Sequence, residues 1–206
     1  MKKVLLVLVA LAVAFVGLVA TRPAEFKIER SASMNAPAEV VFAQLNDFHK
    51  WEAWSPWAKL DPQMKTTYSG AAVGTGAIYE WTGNDKVGTG RMTITDVKPN
   101  QEVTIKLEFL KPFEATNTTT FALMPSGEST KVTWTMSGHN NFMAKAMHMV
   151  MDMEKMVGPD FEKGLGQMKV ASEGAAAKAK EEAAKKAAEE AAAKAAAEAP
   201  TENVVQ

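Results

Sequence analysis

Residues 103–136 read VTIKLEFLKPFEATNTTTFALMPSGESTKVTWTM, and this stretch decides the fold. Apolar and polar residues alternate in three runs, which predicts strands with one buried face. Proline-containing turns at 111–112 and 125–127 separate the runs. Because connections this short join neighbours in a sheet, the strands are expected to be antiparallel. The three runs cover residues 103–109, 121–123 and 132–136.

Upstream of this stretch the same period of two continues and predicts three further strands. The additional alternating runs lie at residues 26–28, 79–81 and 92–94. After the first of them, Asn35, Ala36 and Pro37 are typical of a helix start, and residues 40–45 follow with helical spacing. The chain therefore begins its main domain with a strand and a short helix, and continues as a meander.

Downstream of Gly138 the apolar period lengthens and predicts a long helix from about Asn141 to Ser172. Gly158 and Pro159 lie inside it, and because proline removes a backbone donor we expect a kink or break there. A curved antiparallel sheet with this helix across it is an α+β arrangement. Its interior must be filled or leave a cavity. The apolar helix face comprises Ala146, Val150, Met153, Val157, Phe161, Leu165 and Met168.

The N-terminal segment, residues 1–23, is long and apolar enough to enter a membrane. Lys2 and Lys3 precede an uncharged run over residues 4–20, which is near the short limit for crossing a bilayer. Two lysines on the short side keep that end in the cytoplasm. We expect an uncleaved anchor with the domain outside the cytoplasm, on the periplasmic or extracellular face. The alternative is a cleaved signal peptide and a secreted protein.

The C-terminal segment, residues 174–206, is dominated by Ala, Lys and Glu between Ala175 and Ala199. These residues favour a helix, and Pro200 is expected to stop it. No apolar residue larger than alanine lies between 175 and 199, so the helix lacks a stripe for docking on a core. It is expected to be a solvated helical tail, with binding of a protein partner as the alternative.

Composition excludes several classes of function. The net charge is −1 with both signs interspersed, so no basic surface is expected to recruit nucleic acid. The absence of cysteine removes disulfides, thiolate metal sites and cysteine nucleophiles. His49, His139 and His148 lack metal-ligand spacing, so the sequence predicts no metal site, no cofactor and no identifiable catalytic residue.

The middle domain, residues 24–173, resembles the SRPBCC (START-like, helix-grip) superfamily, and specifically its bacterial polyketide cyclase or dehydrase-like branch. The resemblance covers about residues 25–172. It implies a helix-grip fold, in which a curved antiparallel sheet wraps around a long C-terminal helix. The superfamily contains ligand carriers and a minority of enzymes. The strings that carry the resemblance are WEAWSPW (51–57), GNDKVGTGRMTIT (83–95), KPFEATNTTT (111–120) and GPDFEKGL (158–165).

Aromatic residues and methionines are the candidate ligand contacts. Tryptophans 51, 54 and 57 could cover a bound molecule at a pocket mouth or could plug one end of the sheet. Methionine is flexible and suits a surface that adapts to apolar shapes, and Met147 and Met151 are the pair that we expect in the interior. The candidate cavity residues are Trp54, Trp57, Tyr79, Trp81, Phe109, Trp134, Met147 and Met151.

Three functions are compatible with these features. The first is a membrane-tethered binding module that holds a hydrophobic small molecule, lipid-like or aromatic, between the sheet and the long helix. The second is an enzyme of the cyclase or dehydrase type, which would need convergent ionisable groups in the cavity. The third is an envelope scaffold protein whose cavity is filled. The residue inventory together with the resemblance favours the binding module over the enzyme.

Overall fold

The computed structural model describes residues 2–147, 149 and 151–198. The domain is built on one seven-stranded antiparallel sheet in the order β1-β7-β6-β5-β4-β3-β2. Register shifts in the β4–β5 pair, one of them near Thr95, accompany the curvature of the sheet. The strands are β1 (Glu25–Met34), β2 (Lys65–Gly70), β3 (Ala77–Thr82), β4 (Thr89–Lys98), β5 (Glu102–Lys111), β6 (Ala115–Ser126) and β7 (Ser129–His139).

Within the described residues, four α-helices and one short 3₁₀ helix accompany the sheet. The α-helices are α1 (Lys2–Ala20), α2 (Ala38–Leu45), α3 (Phe142–Met147) and α4 (Met153–Glu198), and the 3₁₀ helix is Phe48–Ala53. Helix α4 packs on β1 and on α2, while α2 and the 3₁₀ helix fill the curved face of the sheet beside it. The predicted α+β helix-grip fold is confirmed.

Strand β2 was not predicted from the sequence. All six of its residues, Lys65–Gly70, are exposed, so the strand has no buried face to produce an alternating pattern. It forms the edge of the sheet and pairs only with β3. Its backbone hydrogen bonds, rather than burial of side chains, therefore hold it in place.

Of the predicted kink or break at Gly158 and Pro159, the break is wrong, because α4 continues through both residues. The interruption lies earlier, between the end of α3 and the start of α4. There the Asp152 carboxylate accepts hydrogen bonds from the backbone N–H groups of Glu154 and Lys155 and caps the new helix. Bonds from Lys155 also hold the pKa of Asp152 below its ordinary value. Of the predicted apolar face, Val150 lies outside the described residues.

Arg30 of β1 fastens the first turns of α4 to the sheet. Its guanidinium donates to Glu162 over 2.7 Å and to Glu154 over 3.1 Å, one turn on either side of Gly158. A Cβ atom at position 158 would overlap that guanidinium. Further along, the backbone N–H of Asn35 donates to the Glu173 carboxylate. Helix α4 therefore runs alongside β1 in the same direction.

The strands begin and end along two opposite borders of the sheet, which we call the proximal edge and the distal edge. At the proximal edge, β1 begins at Glu25 opposite the end of β7, and β5 ends at Lys111 opposite the start of β4. Only residues 21–24 separate the end of α1 from the start of β1. Helix α1 contacts α3, and its Val19 is completely buried. The distal edge holds the end of β1 and the β6–β7 turn, residues 126–129.

Helix α1 is the single helix in the described part of the chain that is long and apolar enough to cross a membrane, and a signal sequence would have the same properties. At the other terminus, α4 continues without interruption from the domain into the tail as far as Glu198. The predicted stop at Pro200 lies outside the described residues.

Candidate ligand-binding cavity

A cavity of about 240 Å³ lies between the sheet, the segment 54–64 and the first turns of α4. Its inner walls are buried side chains of β6, β7 and α4, and its outer walls are half-buried residues of β3, β4 and β5. Lys86, in the turn between β3 and β4, is the exposed residue of the lining. Because this turn lies at the proximal edge, the cavity opens there.

Trp134 of β7 and Phe161 of α4 form the deepest wall. Their rings stack with centroids 4.1 Å apart and an interplanar angle of 10°. The Trp57 ring meets the Trp134 ring edge-on at 5.8 Å. Gly164 permits this packing, because a Cβ atom there would lie 2.8 Å from Trp134 and 3.1 Å from Pro56. The helix can therefore approach the sheet closely here without filling the cavity.

The indole N–H of Trp134 has no hydrogen-bond acceptor among the described residues, although the side chain is almost completely buried. A buried donor without a partner costs ~1–3 kcal/mol, so it is a local defect in the packing beside the cavity. Asn117 and Thr119 of β6, both buried, bring further polar groups to the same lining. The inner cavity is therefore apolar with a few groups able to form hydrogen bonds.

The outer wall is formed by Tyr79 and Trp81 of β3 together with Phe109 of β5. The ring of Trp81 stacks on that of Tyr79 at 6.0 Å and meets that of Phe109 edge-on at 6.0 Å. The Trp81 indole donates to the Val87 carbonyl over 2.9 Å, which ties the wall to the β3–β4 turn. Burial raises the pKa of Tyr79 to about 12, with smaller contributions from the phenol of Tyr68 and the carboxylate of Glu52. Tyr79 is therefore neutral at physiological pH.

The structure brings five of the eight candidate residues together around this cavity and places three elsewhere. Those that line it are Trp57, Tyr79, Trp81, Phe109 and Trp134.

Trp54, Met147 and Met151 do not line the cavity. Trp54 is completely buried between Trp51, Phe121 and the ring of Trp134, where α2 and the 3₁₀ helix close the sheet behind the cavity. Met147 ends α3, and Met151 lies in a surface groove against the start of β1. The two methionines fall outside because the helix is interrupted before Met153, so the expected helical register does not carry them inward.

Sequence reasoning missed Asn117, Thr119, Met153, Val157 and Phe161 as lining residues. The first two share the face of β6 that carries Phe121, and alternation along β6 would have found them. The other three were recognised as the apolar face of the helix. Their position at the hollow depends on where α4 begins, which the sequence pattern did not reveal.

Ionisable chemistry at the cavity is sparse. Apart from the neutral Tyr79, the lining holds Asp160, which is half-buried on α4, and the exposed Lys86. Within the described ranges, no group of three or more His, Asp or Glu side chains could hold a metal ion. His49 stacks on Tyr68 and bonds Asp47, away from the cavity, while His148 lies outside the described residues.

The sequence of residues 25–173 matches the family described as "Polyketide cyclase / dehydrase and lipid transport". The chain belongs to this family. The resemblance to the SRPBCC superfamily that the sequence strings indicated is thereby confirmed. Domains of the polyketide cyclase/dehydrase and lipid transport family commonly bind hydrophobic ligands. No curated protein matches the chain in sequence.

Solved structures share the family fold at low sequence identity. Protein CV1439 from Chromobacterium violaceum is 13% identical, with a TM-score of 0.53 over 71% of this chain and 96% of that one. Protein MLL2253 from Mesorhizobium loti is 15% identical, with the same TM-score and coverages. The Aha1 dimer from Colwellia psychrerythraea is 18% identical, with a TM-score of 0.52 over 72% of this chain and 96% of that one. These similarities show that the chain shares its fold with the three proteins.

Proposed function

We propose that this protein is a membrane-tethered carrier that holds one small apolar molecule in the cavity beneath α4. The observation that carries the proposal is the hollow that remains between Trp134, Phe161 and the outer aromatic wall. A scaffold with a filled interior would not need it. An apolar pocket with a few polar groups is the usual form of a site for small hydrophobic ligands.

The size of the cavity limits the ligand. Its volume of about 240 Å³ is below the ~300–1,000 Å³ of pockets for drug-sized ligands. It exceeds the roughly 150 Å³ of an engineered apolar cavity that binds benzene. One or two fused rings, or a short acyl segment, would fit. The buried Asn117 and Thr119 in the lining favour a molecule that carries one hydrogen-bonding group.

Carriage is favoured over catalysis by the groups in the lining. Acid–base chemistry needs a titratable group whose pKa lies near the working pH. The raised pKa of Tyr79 removes it as a base, and Lys86 is exposed at the rim. Asp160 alone would have to serve both as acid and as base. A binding module therefore explains the lining with fewer requirements than a cyclase or dehydrase.

The tether in this proposal is α1, left uncleaved, with the domain outside the cytoplasm. The support is the length and apolar composition of α1 and the two lysines that precede it. The contact between α1 and α3, with Val19 buried, gives the helix a place against the domain that a discarded signal peptide would not need. The tether is tested by measuring the molecular mass of the protein in isolated membranes, because cleavage after α1 would release a shorter chain from the membrane.

The ligand is tested with a variant that fills the cavity. Val157→Phe adds volume to the lining of α4, whereas Val170→Phe makes the same change at an exposed position of the same helix. Native mass spectrometry of the full chain, released from detergent, should detect a small bound molecule on the wild type and on Val170→Phe. The Val157→Phe chain should have lost it. Absence of a ligand from all three, together with no uptake of the apolar probe N-phenyl-1-naphthylamine, would contradict the proposal.

A further inference from the structure

The mouth of the cavity and the end of α1 lie at the same edge of the domain. The turn that carries Lys86 and Val87, both in the cavity lining, joins β3 to β4 at the proximal edge. The chain passes from α1 into β1 at this edge, since Glu25 at the start of β1 pairs with His139 at the end of β7. The tether therefore leads directly to the side on which the cavity opens.

The connection between α1 and the sheet is too short to hold the mouth far from a membrane. Residues 21–24 separate Ala20 from Glu25, so the two Cα atoms can be at most ~18 Å apart even if fully extended. Hydrogen bonds within this connection shorten it, as the Arg22 N–H donates to the Val19 carbonyl. The Asn140 N–H also donates to the Ala24 carbonyl and binds the connection to the end of β7.

A helix of the length of α1 spans ~28 Å, close to the ~30 Å of a hydrocarbon core. If α1 crosses the bilayer, Ala20 therefore lies near the boundary between acyl chains and headgroups. The proximal edge must then lie within or just above the headgroup layer. Contact between α1 and α3 brings α3 to the same level.

The side chains exposed at this edge suit that position. Among the described residues outside α1, the phenylalanines that are exposed are Phe113, in the β5–β6 turn, and Phe142, at the start of α3. Met143 and Leu110 beside them are also exposed. Aromatic and large apolar side chains insert favourably into the interface between water and lipid. In water the same side chains would remain uncovered.

We propose that the proximal edge rests on the bilayer that α1 crosses, with Phe113 and Phe142 inserted, so that the cavity exchanges its ligand directly with the membrane. The proposal rests on the function proposed above and adds the source of the ligand to it. The ligand then partitions from the acyl-chain region through the opening beside the β3–β4 turn, without passing through water. The occupant of the apolar edge is lipid, rather than a protein partner or a second copy.

The position of the edge can be measured because the chain contains no cysteine. Glu114→Cys and Glu128→Cys introduce one label site each in exposed turns, β5–β6 at the proximal edge and β6–β7 at the distal edge. Both remove the same charge and leave Phe113 in place. Each variant is labelled with an environment-sensitive nitrobenzoxadiazole dye and reconstituted as the full chain into phosphatidylcholine/phosphatidylglycerol vesicles.

Lipids with brominated acyl chains should quench the dye at position 114 and leave the dye at position 128 unaffected. Equal quenching at both positions, quenching at neither, or quenching only at 128 would overturn the proposal. A dye at 114 that is shielded from water but not quenched by lipid would also overturn it, since a protein would then cover the edge.

Transfer of the ligand is measured separately from the position of the edge. Moving N-phenyl-1-naphthylamine from the vesicles into the cavity should be slowed at least about tenfold by Phe113→Asp combined with Phe142→Asp. Met124→Asp, at an equally exposed distal position, should not change the rate. An unchanged rate in the double variant overturns the membrane route. A wild-type chain that is quenched at 114 but takes up no probe would instead reject the carrier function.

Discussion

Two adjoining regions of the curved sheet, called the closed end and the open end, use the same kinds of aromatic residue with opposite results, and they meet where the rings of Trp54 and Trp134 contact edge-on at 5.9 Å. At the closed end, Trp54 packs against Phe121 beneath α2 and donates its indole N–H to the Gln44 carbonyl. Trp51 beside it donates to the Leu45 carbonyl and also reaches the lining of the cavity. At the open end, Trp134 faces a cavity and its indole N–H has no acceptor among the described residues. Trp54 therefore fills the core where a neighbouring helix supplies a hydrogen-bond acceptor for its indole N–H. Trp134 lines the cavity where no such acceptor is present.

The difference is the one expected if the closed end contributes stability and the open end holds the proposed ligand. At the closed end, both indole N–H groups have acceptors and the Trp54 ring is completely buried, as expected for a core that specifies one structure, although Asn46 Oδ1 at the end of α2 has no partner among the described residues. The open end retains an apolar hollow and an unsatisfied donor, both of which reduce stability. Such local defects commonly mark functional sites.

The largest expected effect is at the closed end. Trp54→Ala removes a completely buried ring and should lower the free energy of unfolding by about 3–5 kcal/mol. Trp57→Ala, which removes a half-buried ring at the cavity, should cost clearly less, because a hollow already exists beside it. Urea unfolding of the full chain in detergent, followed by tryptophan fluorescence, compares the two. Equal losses of unfolding free energy in the two variants would show that both ends are packed alike.

The spacing between α4 and the open end is tested by two glycines. Alanine in a helix is favoured over glycine by about 1 kcal/mol, so Gly166→Ala, where a Cβ meets nothing within 4 Å, should stabilise the chain by up to that amount. Gly164→Ala should instead destabilise it by about 1–3 kcal/mol, because its Cβ would press on Trp134 and Pro56. The midpoints of thermal unfolding should therefore shift in opposite directions. Shifts in the same direction would mean that α4 moves freely over the site.

A smaller effect, confined to alkaline pH, is expected from the outer wall. The raised pKa of Tyr79 means that the folded state holds the phenolic proton more tightly than the unfolded state. The contribution of Tyr79 to the free energy of unfolding is therefore complete below pH 10 and is lost as the pH rises from about 10 to about 12. Since the chain has two tyrosines, absorbance at the phenolate band in Tyr68→Phe reports Tyr79 alone. A midpoint near the ordinary value of 10 would show that the wall is open to water.

The smallest change in stability is expected from Trp134→Phe. It loses some apolar contact but also removes a buried donor that has no acceptor, so the free energy of unfolding should change by no more than about 1 kcal/mol. Trp54→Phe is the matched change at the closed end, and it should cost more because it leaves the Gln44 carbonyl without its donor. Urea unfolding of the two variants measures both changes. The reverse order of stabilities would contradict the assignment of the two ends.

Sequence reasoning recovered the fold because alternation is a direct consequence of having one buried face. The runs around Tyr79, Ile105 and Trp134 all lie in strands. It failed where burial left no pattern, as in the fully exposed β2. It also misplaced the interruption of the terminal helix, because the capping carboxylate of Asp152 is a weaker sequence signal than Pro159.

The candidate site was recovered in part for a related reason. Alternation identifies which side chains share a face, so the strand residues Tyr79, Trp81, Phe109 and Trp134 were found together. It does not reveal where along that face another element fills the space. Trp54 and Trp57 are three residues apart, yet α2 covers the first and leaves the second beside the hollow. That distinction depends on tertiary packing, which no local pattern encodes.

The unbroken course of α4 fixes where the tail can act. The helix runs from the proximal edge along β1, and Ala176 is its last residue packed against the core. Residues 177–198 then continue as a rod of ~33 Å. In the arrangement proposed above, the open end lies on the bilayer. The rod then extends away from the lipid. In the proposed arrangement, the far end of the rod therefore lies on the side of the domain opposite the membrane.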